Sequence, residues 1–326
     1  MRLGRHAARL ALMGGLCFIP PLAAQAQGDA MQWLQRAGQA AQKLSYTGTF
    51  VYQSGGGAET SRITHLVDAA GEAERLEVLD GSPREVVRIN DEVKCYLPEN
   101  RTIIVERRPA RRSFPALLPV SFGGSIGESY VVKKGAAARV AGLDTHSILI
   151  EPRDGLRYGH QWWVDAQSGL LVKASLIGER GDPLETFAFT ELRIGEPIGR
   201  EAIKPSARMQ SHDWHVRQTH STDSKADEGV WNFRATLPGF RKISGMKRQV
   251  RADASPGSHW VFSDGLAAIS VFIDPLTQPQ PETGLFKMGA VNVYKRLLGE
   301  HLVVVMGDVP HATLKRLGDG IEARRK

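Results

Sequence analysis

The feature that most constrains this chain is a change of hydrophobic period at Tyr46. From there six stretches alternate apolar and polar residues: YTGTFVYQ (46–53), SRITHLVD (61–68), ERLEVLD (74–80), REVVRIN (84–90), EVKCYLP (92–98) and RTIIVER (101–107). Turn residues part them at Gly55-Gly56-Gly57, Ala70-Gly71, Gly81-Ser82-Pro83, Asn90-Asp91 and Glu99-Asn100. Strand side chains point to opposite faces in turn, so alternation marks a strand with one buried face. Short strands joined by tight turns pair antiparallel with their neighbours in sequence. Five more such stretches follow: YVVKKG (130–135), THSILIEPR (145–153), YGHQWWVD (158–165), LLVKASLIG (170–178) and LETFAFTELRIG (184–195). A segment punctuated by Pro115, Pro119 and glycines, residues 113–130, separates the two series. Strand and helix do not alternate, which argues against a parallel Rossmann-type sheet.

Before the strands, Ala30, Trp33, Leu34, Ala37, Ala41 and Leu44 recur at three-and-four spacing, which predicts a helix over 29–44 with Asp29 as its cap. Further upstream, Arg2, Arg5 and Arg9 precede an apolar run from Leu10 to Leu22, and Ala24-Gln25-Ala26 has the A-x-A form. Residues 1–26 therefore read as a secretory signal peptide. The run is short against the ~20 residues of a spanning helix, and Pro20-Pro21 breaks it. Removing those three Arg from 42 basic residues leaves 39 against 35 acidic ones, too mild an excess to suggest a nucleic-acid partner. Cys95 would then be the one remaining cysteine, expected as a buried, inert thiol.

Residues 196–229 are polar and rich in Gly, Pro, Ser and charge, a linker composition. A smaller unit, 230–326, carries strands RKISGMKRQV (241–250), HWVFSD (259–264), LAAISVFID (266–274), MGAVNVYKRL (288–297) and HLVVVMGD (301–308). A helix should start near Pro310, with Leu314, Leu317 and Ile321 as its buried face. The expected fold is α+β, mostly antiparallel β, with a larger domain over 27–195 and this smaller sheet-and-helix domain.

Reaction chemistry finds little support. Residues 123–127 match G-x-S-x-G, but a nucleophile elbow needs a strand before the Ser and a parallel sheet around it. His212, Asp213, His215, His220 and Asp223 cluster without metal-site spacing and read as a solvated loop. His160 and Asp165 lie an odd number of residues apart on one strand, so they face opposite sides and cannot pair. There is no P-loop and no G-x-G-x-x-G, so no catalytic residue, metal or cofactor is expected. Binding is better supported. Arg107, Arg108, Arg111 and Arg112 are the densest basic cluster, and guanidiniums suit phosphate or carboxylate oxygens. The apolar Leu117 and Leu118 lie directly behind, so a basic rim on an apolar cleft would match an anionic lipid.

Several stretches resemble one family. KLSYTGTFVYQ (43–53), LDGSPREVVRIND (79–91) and the double hairpin from Tyr158 to Leu192 resemble its first domain. LPGF (237–240), FSDGLAAISVF (262–272) and MGDVPHATLKRL (306–317) resemble its second. This is the RseB/MucB family of periplasmic regulators of the envelope-stress sigma factor. The resemblance implies a first domain similar to the lipoprotein carriers LolA and LolB: a curved antiparallel sheet, an incomplete barrel closed by helices. It implies a partner, the periplasmic part of an RseA/MucA-type anti-sigma factor, shielded from proteolysis and released by lipid or lipopolysaccharide. It implies no enzymatic activity and leaves the oligomeric state open. A periplasmic lipid or lipoprotein carrier is the alternative. On a half-open barrel the concave face could take a lipid, each buried CH₂ contributing about 0.8 kcal/mol. Trp162, Leu170, Val172, Phe187 and Phe189 are expected to line that face, with Trp162 turned inward and Trp163 outward.

Overall fold

In the computed structural model of the chain, the two series of hairpins become one sheet. The structure describes residues 22–107, 126–209, 213–219, 230–248, 256–277 and 281–324. A first helix, α1 (Leu22–Lys43), contains most of the predicted one but starts earlier, so Asp29 lies inside it and does not cap it. Six strands follow: β1 (Tyr46–Ser54), β2 (Gly57–Asp68), β3 (Gly71–Val78), β4 (Glu85–Ile89), β5 (Glu92–Leu97) and β6 (Thr102–Arg107). After a one-turn helix, α2 (Ile126–Ser129), come β7 (Tyr130–Val140), β8 (Leu143–Pro152), β9 (Gly159–Asp165), β10 (Leu171–Ile177) and β11 (Pro183–Ile194). Each series is a meander, and β1 pairs with β11 to join them. β12 (His215–Thr219) adds to β6 in parallel, so the sheet runs β12-β6-β5-β4-β3-β2-β1-β11-β10-β9-β8-β7. Its two outer strands, β12 and β7, are not paired with each other, so the sheet is not closed into a barrel.

The inner face of this sheet is filled by α1. Ala30, Leu34, Ala37 and Ala41 are buried in one cluster with Tyr130, Ile148, Ile150, Trp162 and Val164. Alanines let helix and sheet approach closely. A separate core under β2–β5 takes Ile203 and Met209, with Trp214 edge-on to Tyr96 at 6.1 Å. Arg200 pairs with Asp68, and the Ser206 amide donates to Glu85 at 2.9 Å. The stretch with linker composition is therefore fastened to the first sheet over much of its described length, because a few apolar residues within it find a core.

The second unit holds β13 (Trp231–Phe233), β14 (Arg241–Arg248), β15 (Gly257–Ser263), β16 (Ala268–Pro275), β17 (Gly284–Met288), β18 (Val291–Leu298), β19 (His301–Gly307), α3 (His311–Asp319) and β20 (Ile321–Ala323). Six of these strands form an antiparallel sheet, β14-β15-β16-β19-β18-β17, and β13 pairs with β20. Two expectations are corrected. The predicted single strand 288–297 is split, because Gly289 at φ 62° turns the chain between β17 and β18. Ile321 is buried, but in β20, because α3 stops at Asp319 and Gly320 follows it.

Buried polar groups join the two units. Arg157 donates from Nη1 to Asp264 Oδ2 at 2.7 Å and from Nε to Asp154 at 3.1 Å. Tyr130 donates to the same Asp264 oxygen at 2.9 Å, and the amides of Leu266 and Ala267 donate to the other. Arg157 also donates to the Pro238 carbonyl, and the Phe240 ring stacks on its guanidinium at 4.8 Å. Gly239 sits between those two residues at φ 81°, where a Cβ would come within 2.9 Å of Arg157 Nη1. The LPGF turn is thus a lid over the interdomain arginine. Asn292 donates to Tyr158 Oη at 2.9 Å, and Thr313 to the Leu156 carbonyl.

Candidate functional site

Strand alternation positions the paired tryptophans. On β9, His160, Trp162 and Val164 share one face and are buried, Trp162 and Val164 in the cluster that includes α1, Trp162 being 0% exposed. Trp163 faces outward, half-buried, with Lys173 Nζ 4.4 Å over its ring. Burial alone pushes the His160 imidazole down to about 4, so it is neutral at neutral pH. Asp165 holds its turn, accepting from Ser168 N at 2.7 Å and Ser168 Oγ at 2.6 Å. Desolvation favours an uncharged imidazole, and the neighbouring carboxylate is committed elsewhere.

The residues expected to line a lipid face come together, but as packed core. Trp162, Leu170, Val172, Phe187 and Phe189 belong to one cluster with α1. Phe187 and Phe189 meet edge-on at 5.1 Å, and both contact Phe50. Their side of the sheet is filled by the chain itself, where an open concavity was expected, because α1 lies along it. A register shift between Leu171 and Lys173 also brings both Leu171 and Val172 inside, a local break in the alternation that the sequence pattern did not signal. Leu117, Leu118, Arg108, Arg111 and Arg112 lie outside the described residues, as does the side chain of Arg107 at the end of β6. Ser125, His212, His220 and Asp223 lie outside them too, while Asp213 and His215 are exposed beside and on β12. Cys95 is half-buried, less covered than expected, and burial raises its thiol above the ordinary value.

One polar cluster went unnoticed in the sequence. The His65 ring donates from Nδ1 to the Leu44 carbonyl at 2.9 Å, and its Nε2 meets Glu72 at 2.9 Å. Arg88 Nη2 donates to Glu72 at 2.6 Å and to Glu74 at 3.0 Å. His65, Glu72 and Glu74 place their ligand atoms within 4.8 Å of one another, a spacing that could suit a metal. The Arg88 guanidinium already bridges the two carboxylates, so the cluster reads as an ion-pair network. Burial would raise Glu72, but the hydrogen bonds and charges of His65 and Arg88 outweigh it and hold the carboxyl at about 2. Residues 65, 72, 74 and 88 sit on three strands, so only strand register brings them together.

The second sheet has two unlike faces. Cross-strand partners share a face, so Trp260, Val271, Val305 and Tyr294 form one row, and this row meets α3. On the other face Val261, Ser270, Met306, Val293 and Phe286 form a row, with Val304 and Lys295 in the next. Leu297 and Met288 extend that face at its edge and are 47% and 66% exposed. Val304, Met306 and Phe286 are half-buried there, while Val293 in the same row is 3% exposed, so the open part of the face lies toward Met288 and Leu297. Lys295 Nζ lies 4.7 Å over the Phe286 ring, which adds a cation to an apolar surface. Exposed apolar patches of this kind mark interaction sites.

Fold and surface together define a two-domain binding protein: an open sheet plugged by a helix, locked to a smaller sheet with an apolar outer face. The MucB/RseB N-terminal domain family matches residues 29–207, and the MucB/RseB C-terminal domain family matches residues 225–322. The chain belongs to the MucB/RseB family. It is 32% identical over 320 residues to the sigma factor AlgU regulatory protein MucB of Pseudomonas aeruginosa, covering 96% of both chains. The sigma-E factor regulatory protein RseB of Escherichia coli K12 is 25% identical over 313 residues, covering 95% of both. Among solved structures, MucB in complex with MucA(peri) has a TM-score of 0.72 at 27% identity, covering 91% of this chain and 100% of that one. A structure of MucB without a named partner has a TM-score of 0.65 at 27% identity, covering 91% and 98%. No described helix is long and apolar enough to cross a membrane.

Proposed function

We propose that this chain is an exported, periplasmic, non-enzymatic regulator. It binds the periplasmic part of a membrane-spanning anti-sigma factor, shields it from regulated proteolysis, and so restrains the envelope-stress sigma factor. The observation that carries this is the match of both domains, over nearly the whole chain, to proteins named as sigma factor regulators, one solved with MucA(peri). The apolar outer face of the C-terminal sheet, at Val304, Met306, Phe286, Met288 and Leu297, is the surface assigned to the partner. Lipid or lipopolysaccharide is the releasing ligand. Its acyl part is assigned to the face at Trp162, Leu170, Val172, Phe187 and Phe189 with Leu117 and Leu118, which is packed against α1 and would open to a lipid only if that helix moved aside. Its anionic head is assigned to Arg107, Arg108, Arg111 and Arg112.

Co-purification of the mature chain with the anti-sigma periplasmic segment, with and without lipid A, tests the whole reading. The native chain should retain the segment, and Met288→Asp with Leu297→Asp should weaken retention about tenfold without changing the melting temperature. Lipid A should release it, and charge reversal at the four arginines should blunt that release while leaving release by an uncharged lipid unchanged. Unaltered retention in the double variant removes the surface assignment. Equal effects on both lipids remove the arginine assignment. Failure of the native chain to bind, with capture of outer-membrane lipoproteins instead, overturns regulation in favour of a carrier.

A further inference from the structure

His65 is fully buried, and both nitrogens of its ring face oxygen acceptors. Nδ1 lies 2.9 Å from the Leu44 carbonyl, and Nε2 lies 2.9 Å from Glu72 Oε1. A neutral imidazole carries one N–H, so in either tautomer one of these contacts would set a ring lone pair against an oxygen lone pair. The doubly protonated ring donates at both places. The proton between ring and acid does not sit on the acid. Burial works to raise the Glu72 carboxyl, but the hydrogen bonds of His65 and Arg88 hold it at about 2, so Glu72 is ionised.

Strand register places the groups around this ring. Tyr46, His65, Glu74 and Arg88 are successive cross-strand partners on β1, β2, β3 and β4, and Glu72 lies two residues from Glu74 on β3. The Tyr46 ring stacks on the imidazole at 4.8 Å, and burial raises its hydroxyl well above the usual range, so it is uncharged. Arg88 Nη2 spans Glu72 and Glu74. One guanidinium against two carboxylates leaves a negative charge, and an imidazolium closes the balance that buried charges need. Arg200 is taken by Asp68, three residues along β2. At the end of α1 Lys43 is exposed, and the group that faces the ring is the Leu44 carbonyl. Leu44 is tied back to the helix by its amide, which donates to the Ala40 carbonyl at 3.0 Å. We infer that His65 is a proton-dependent latch on α1: the doubly protonated ring ties the end of that helix to β3, and loss of a ring proton breaks one of the two bonds and releases it. An unfolded chain holds that proton with the ordinary affinity of histidine, about 6.5. The folded state requires it, so the latch stabilises fully below about 6.5 and is lost as pH rises beyond. The inference is independent of the partner and lipid assignments above.

Glu72→Gln tests it. A glutamine amide can donate to a neutral Nε2 while Nδ1 still donates to Leu44, and Arg88 with Glu74 alone stays balanced. Urea unfolding of the mature chain and of Glu72→Gln is followed from pH 6 to 9. Groups outside the cluster titrate alike in both and cancel in the comparison. The folding constant of the native chain should fall against that of the variant by roughly tenfold over this range. At pH 7.5 the native chain should show two His65 ring N–H resonances, assigned by their nuclear Overhauser contacts to Tyr46, and Glu72→Gln should show one. The Leu44 amide should exchange faster in the native chain than in the variant at pH 9, and not at pH 6. A parallel pH dependence of the two chains, equal Leu44 exchange at pH 9, or a single ring N–H on native His65 at pH 7.5 overturns the proposal. If Glu72→Gln does not fold, the ring resonances of the native chain decide alone.

Discussion

At the scale of the residue, the most telling groups are those whose environment works against their usual chemistry. Asp308, at the end of β19, has its carboxyl pushed up to about 6, first by burial, with repulsion from Glu185 and Asp264 adding to it. The Ala268 amide, donating at 3.1 Å, opposes this without winning. The folded value lies above that of an unfolded aspartate, about 3.9, so the folded state binds the proton more tightly. Stability therefore falls as pH rises from about 4 through 6. Asp308→Asn keeps an acceptor for Ala268 and cannot ionise. Its melting temperature should exceed that of the native protein at pH 7.5, by an advantage on the order of 1 kcal/mol that shrinks toward pH 4. A difference independent of pH would show that Asp308 is not paying a penalty for its charge. None of this was legible from the sequence, where Asp308 is one acid in a turn. The orientation of Trp162 and Trp163 was legible, because adjacent strand residues must part.

At the scale of the element, α1 shows how far local pattern reaches. Its three-and-four spacing identified Ala30, Leu34, Ala37 and Ala41 correctly as the buried stripe. What that stripe would cover was not legible, since helix period says nothing about the partner face. Leu34 is fully buried against the first sheet, so Leu34→Ala should cost roughly 2–5 kcal/mol in urea unfolding, while exposed Gln39→Ala on the same helix should be nearly neutral. Comparable effects from both would mean that α1 is not docked as described. Strand boundaries followed the turn residues well, since Gly, Pro, Asn and Asp act within four residues. They failed where a turn was short, at Gly289, and where a strand joined from far away. β12 gains its strand geometry only from β6, more than a hundred residues earlier.

At the scale of the molecule, the decisive contact is Arg157 with Asp264. Both side chains are fully buried, and they belong to different domains. Removing one partner of such a pair typically costs 3–5 kcal/mol, because the other charge stays buried without its partner. Arg157→Ala should lower thermal stability by about that much and separate the unfolding of the two domains into two calorimetric transitions. A single transition at the native temperature would refute the lock. Local information in the chain determined the strand series, the α1 stripe, the two-domain division and the absence of a Rossmann pattern, because alternation and turn chemistry act over a few residues. The family resemblance rested on the same short stretches. Tertiary structure alone decided that β1 meets β11, that α1 packs on the inner face, that the Trp162 indole N–H has no acceptor among the described residues, and that Met288 and Leu297 stay exposed at the edge of the second sheet. Those outcomes depend on which distant surfaces meet, and burial, register and charge pairing are settled only when they do.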